Sequence, residues 1–174
     1  GQPQARDGAE AVLRRSERAA RYALAFAAHR MDQDAQILHS AALLHDFAEL
    51  LLWCHAPALA QEIRRLQTLN PNLRSLKAQQ QVLGIELPAL EQALMKTWHL
   101  PPLLAHITDD RHHHDPQTQC VRLAVRVARH SSQGWDNPAI PDDVRDISAL
   151  LNLGSEPTLR LLQDIDRETG PTLR

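Results

Sequence analysis

The chain has 174 residues, enough for one domain with a buried interior and short for two. Hydrophobic residues make up 43% but aromatic residues only 3%, so aliphatic side chains, chiefly Leu and Ala, must fill that interior, and these favour helices. The net charge of -2, from 19 Lys plus Arg against 21 Asp plus Glu, provides no large positive field and argues against a primary role on DNA or RNA.

Residues 1–8 are polar and contain Gly and Pro, and they read as a disordered leader or a cloning remnant outside the fold. Over 9–30, Val12, Leu13, Ala20, Ala23, Leu24 and Ala27 recur every three or four residues between arginines, which predicts an amphipathic helix. A second helix is expected from Asp32 or Asp34 through Leu38, Ala41, Ala42, Leu44, Leu50 and Leu51 to Trp53, apolar on most sides and therefore central. Pro57 restarts the chain in a third helix to Leu69, because proline fits the first turn of a helix but not its interior. A fourth helix over 73–83 is ended by Gly84 as a left-handed cap, and a fifth runs from Pro88 to Trp98. Pro101 and Pro102 open a sixth, which stops before Pro116. A seventh over 120–131, a loop carrying Gly134 and Pro138, and short helices over 142–151 and 156–166 complete an all-α reading. The domain is expected to occupy 9–170.

Only Cys54 and Cys120 are cysteines, too few for a disulfide scaffold or a thiolate zinc site, so a reduced, cytoplasmic chain is the simplest expectation. No basic-then-apolar leader opens the sequence and no unbroken run approaches the roughly 18 apolar residues of a membrane span.

Three places could carry chemistry. His45-Asp46 stands adjacent in an apolar helix, where polar groups persist only when paired or bound to metal. An imidazole and a carboxylate can share one divalent ion, or the carboxylate can simply orient the ring. Arg111-His112-His113-His114-Asp115-Pro116 is a histidine cluster that fits a metal site or a turn without chemistry. Trp98-His99-Leu100-Pro101-Pro102 joins two helices, and its expected duty is to pack an indole over the turn.

Together these segments resemble the HDOD domain, a branch of the HD superfamily of metal-dependent phosphohydrolases. The resemblance runs through Ala41-Ala42-Leu43-Leu44-His45-Asp46-Phe47, Val82-Leu83-Gly84-Ile85-Glu86 and Trp98-His99-Leu100-Pro101-Pro102. It continues from Ile107 to His113-His114-Asp115-Pro116, lengthened by about two residues, and into 121–128. It implies an HD-like bundle of about seven to nine helices, with core similarity over 9–128 and closing helices over 142–168. The helices that usually precede this part in the family, with their Asn-Ser segment, are not found. A trimmed or shortened member is expected, and apolar surface that faced a missing subdomain would favour a homodimer.

Active members of the superfamily hold one or two metals with an upstream His, the His-Asp pair, further histidines and a late Asp, and the metals activate water against a phosphoester. In this chain the upstream position falls at Arg15 or Ser16, the middle histidine at Leu87 and the late Asp at Val125, while Ala48-Glu49 replaces a Gly-Lys. The resemblance thus implies a vestigial pocket of His45, Asp46, His113 and His114, with no catalytic residue and no cofactor expected. If a divalent transition metal did bind, His45, Asp46 and His113 would hold it.

The function this implies is a non-catalytic signalling or regulatory output domain of a bacterium, acting through protein partners without nucleic acid or membrane. The alternative is a metal-dependent phosphohydrolase or phosphodiesterase acting on a nucleotide or cyclic dinucleotide, which needs His39 or His106 to fill the vacancies. A third reading is a small-ligand sensor using the pocket beside His45.

Overall fold

The computed structural model describes residues 2–168, so Gly1 and the expected domain end at 169–170 lie outside the described residues. Among the described residues the chain is all α, as the composition requires. Its elements are α1 (Gln2–His29), α2 (Ala35–Leu44), α3 (Phe47–His55), α4 (Pro57–Leu69), α5 (Ser75–Leu83), α6 (Leu87–Thr97), α7 (Pro102–Thr108), a 3₁₀ turn (Asp110–His112), α8 (Pro116–His130), α9 (Ile140–Leu151) and α10 (Ser155–Arg167).

The long α1 is the spine and packs against α2, α3, α8 and α10. Its inner face carries Ala19, Ala20, Ala23 and Ala27, all at most 1% exposed, facing a core that includes Ala41 and Ala42 of α2 and Ala124 and Ala128 of α8. Small side chains let helix backbones approach closely, and Tyr22, Phe26, Leu38, Ile107, Val121, Val127, Ile147 and Leu162 fill the space between them. Arg18 ties α1 to the last helix: its guanidinium donates to both carboxylate oxygens of Asp166, to Ser131 Oγ and to the Ala128 carbonyl.

Two sequence expectations are corrected. The segment 2–8 is not a leader but the first two turns of α1. It is held because Gly8 is buried flat against the Trp53 indole, in a second cluster with Val12 and Ala60. The single helix expected between Asp34 and Trp53 is two helices, broken where His45 is still helical (φ -57°, ψ -32°) and Asp46 is not (φ -111°, ψ 21°). Within the 21-residue stretch Ala35–His55, which spans that break, an 18-residue window has a mean hydropathy of 1.3, so the stretch has the length and composition of a membrane span although no unbroken apolar run does. The break places a charged turn at the middle of the stretch, where a bilayer would penalise it most.

The remaining boundaries follow local chemistry. Gly84 closes α5 at φ 69°, the left-handed cap expected there. Prolines occupy the first turns of α4, α6, α7 and α8. Trp98 does pack an indole at the turn it occupies, its ring centroid lying 5.6 Å from Phe47 at the start of α3, beside the His45-Asp46 break.

Candidate functional site

The break between α2 and α3 opens into a cavity of about 520 Å³ that is walled by α1, α3, α4, α5, α6 and α8. Asp46, 12% exposed at its side chain, forms the floor. Its Oδ2 accepts from Arg15 Nε at 3.0 Å and from Arg15 Nη2 at 2.8 Å, while Oδ1 accepts from His45 Nδ1 at 3.1 Å and has Arg129 Nη2 at 3.6 Å. Arg15 reaches across from α1, and its Nη2 also donates to Glu49 Oε2 at 2.6 Å. On the other side of the ring, His45 Nε2 donates to Asp110 Oδ1 at 3.1 Å.

These contacts fix the charge states. Burial works against a charge on His45, but hydrogen bonds to Asp110 and Asp46, reinforced by their charges, lift the imidazole to about 10. Both ring nitrogens face carboxylate oxygens, and only an imidazolium donates from both. Burial likewise opposes ionisation of Asp46, yet the His45 hydrogen bond and the charges of Arg129, His45 and Arg15 hold its carboxyl well below the ordinary range. Glu91, 4% exposed on α6, goes the other way: burial pushes its carboxyl up to about 9, against the pull of the His45 charge.

The donor set does not fit a catalytic metal. A metal ligand must offer a lone pair, and the His45 ring has both nitrogens committed as donors. The carboxylate of Asp46 is engaged at both oxygens by cationic side chains. Arg15, at the position expected for the upstream histidine, places a guanidinium against the carboxylate, and two further expected ligand positions are apolar walls, Leu87 at 7% and Val125 at 5% exposure. Ser16, the other candidate for the upstream position, is buried and does not line the cavity.

The structure brings together only half of the expected pocket. His45 and Asp46 meet, but His113 and His114 are exposed, their rings tilted against each other with centroids 4.0 Å apart, and line no part of the cavity. The 3₁₀ turn sends Asp110 inward, where a histidine of the cluster was expected, and carries the histidines outward. His39 and His106 do not line the cavity either, and His106 Nε2 instead meets Asp115 Oδ2 at 2.5 Å on the surface.

Sequence reasoning missed Asp110, Glu91 and the arginines of α8. Arg122, Arg126 and Arg129 all line the cavity at a spacing that sets them along one face of a helix, a pattern visible in the sequence. Arg126 is spent on Asp143 and Asp146, at 2.6 and 2.7 Å. Arg122 and Arg64, both lining the cavity, form no ion pair among the described residues, and Arg64 lies 4.5 Å above the Trp53 ring.

An all-α bundle whose second and third helices are broken apart by a His-Asp turn beside a partly open cavity of mixed polar and apolar lining is consistent with the HD-type helical domains. The chain belongs to the HDOD family, whose model matches residues 1–116. The fold is also that of a crystallised "putative phosphohydrolase" from Shewanella amazonensis SB2B, with a TM-score of 0.63 and 15% identity over 93% of this chain. This chain spans 60% of the length of that protein. No curated protein matches the chain.

Proposed function

We propose that this HDOD domain is a non-catalytic regulatory module that works through protein partners in a bacterial cytoplasm, its inherited pocket serving as structure. The observation that carries the reading is Arg15. Its guanidinium binds the Asp46 carboxylate through two hydrogen bonds at the position where a hydrolase of this superfamily is expected to present a metal-binding imidazole. His45, held as an imidazolium between two carboxylates, offers no free ring lone pair to a metal or to a proton, which supports this reading.

The test is hydrolysis of bis(p-nitrophenyl) phosphate with Mn²⁺, Fe²⁺ or Zn²⁺ added, for the native chain beside Asp46→Ala. The two are expected to show the same background rate. Metal-dependent turnover that disappears in Asp46→Ala would establish the hydrolase instead.

One observation favours a second reading, in which the cavity senses a small anion. Among the described residues Arg64 and Arg122 line it without ion pairs, and the Trp53 ring offers a flat face beside Arg64. A thermal-shift screen with organic phosphates distinguishes the readings, since a ligand that binds only the folded state must raise the melting temperature. The sensor reading expects a rise that Arg122→Ala removes, and the purely structural reading expects none.

A further inference from the structure

We propose that His106, His112 and Asp115 form a surface site for a divalent transition metal, with Zn²⁺ the first candidate, separate from the pocket at His45. The three residues come from three consecutive elements: the last turn of α7, the 3₁₀ turn and the residue preceding α8. One ligand atom from each can be chosen so that all lie within 4.8 Å of one another. A tetrahedral ion with Zn–N bonds near 2.0–2.1 Å needs donors roughly 3.3 Å apart, so small rotations of exposed side chains close the remaining difference.

Several features prepare the site. The His106 and His112 rings stack with centroids 3.9 Å apart and planes 22° from parallel, an arrangement that holds both imidazoles beside the same carboxylate. Asp115 occupies the N-cap position of α8, yet its side chain makes no capping hydrogen bond and turns instead to His106 Nε2, at 2.5 Å. The backbone fixes the spacing, since Asp115 N–H donates to the His112 carbonyl at 2.9 Å and His112 N–H donates to the Asp109 carbonyl at 2.9 Å. Behind the site, Asp109 Oδ2 lies 3.7 Å from His112 Nε2, where a carboxylate can orient a ligating ring. Two imidazoles and one carboxylate are a borderline donor set, suited to Zn²⁺ and its transition-metal neighbours rather than to Mg²⁺ or Ca²⁺. Three protein ligands at an exposed position leave a coordination place for water or a fourth donor.

The 3₁₀ turn that holds His112 outside the pocket is thus also the feature that brings the site together. Because the 3₁₀ turn also supplies Asp110 to His45, an ion here would clamp α7 and α8 around the turn that closes the pocket.

The experiment is calorimetric titration of ZnCl₂ into metal-stripped protein, with the melting temperature measured with and without the ion. The native chain is expected to bind one ion and to melt higher with it. His112→Ala and Asp115→Asn, both at exposed positions, are each expected to weaken binding by at least about tenfold and to abolish the thermal shift. The double variant His113→Ala/His114→Ala is expected to bind as the native chain does. Absence of binding to the native chain would overturn the proposal, as would unchanged binding in His112→Ala and Asp115→Asn. Loss in the His113/His114 variant would place the ion elsewhere and overturn it equally.

Discussion

Arg15, His45, Asp46, Glu91 and Asp110 form one electrostatic unit, and its residues titrate in ways that stability can report. His45 is raised from the ordinary 6.5 to about 10, so its stabilising charge is complete below 6.5 and is lost as pH climbs toward 10. Glu91 is raised from 4.5 to about 9, so the folded chain holds it neutral while the unfolded chain ionises, and stability falls across 4.5 to 9. Asp46 is lowered, so its contribution is present above 3.8 and is lost as acid protonates it. The melting temperature is therefore expected to peak in weak acid and to decline steadily into alkali. Glu91→Gln should flatten that decline and melt higher than the native chain at pH 9, and parallel alkaline slopes in the two proteins would contradict the buried neutral carboxyl. At this scale the sequence was half legible. The His45-Asp46 pair could be read from the order of residues, while Leu87 and Val125 became candidates for lost ligand positions only through the family resemblance. The role of Arg15 could not, because a partner 31 residues away across two helices leaves no periodic trace.

Helices were legible wherever proline, glycine or three-and-four spacing punctuated them, and illegible where tertiary contacts overrode local propensity. The break between α2 and α3 follows no Gly or Pro, and it falls where Asp46 leaves helical geometry to meet Arg15 and His45. The first turns of α1 look like a leader because Gly8 and Pro3 are poor helix residues, but packing against Trp53 outweighs that penalty. Gly8 supplies a sharp test. Alanine in a helix interior is normally better than glycine by about 1 kcal/mol, yet a β-carbon at Gly8 would lie 2.4 Å from the Trp53 ring, itself only 2% exposed. Gly8→Ala is expected to destabilise by about 1–2 kcal/mol in urea unfolding, because overpacking exceeds the propensity gain. A stabilised variant would mean that the start of α1 does not dock on Trp53.

For the molecule as a whole, composition alone pointed to the all-α class, since a chain so poor in aromatics closes its core by bringing alanine-lined helices close together. The resemblance supplied the family, and the proposed reading concerns what this member does with its cavity. Where that reading expects a hydrolase to hold a metal between imidazoles and carboxylates, the described residues set the Arg15 guanidinium and the His45 ring against the carboxylates. That exchange is the central claim, and ¹⁵N-detected titration of the histidine rings by NMR tests it most directly. The account predicts that His45 keeps both ring nitrogens protonated through neutral pH and loses a proton only near 10. A His45 ring that titrates near 6.5 and carries one unprotonated nitrogen at pH 8 would contradict it, because that nitrogen would be free to take a metal.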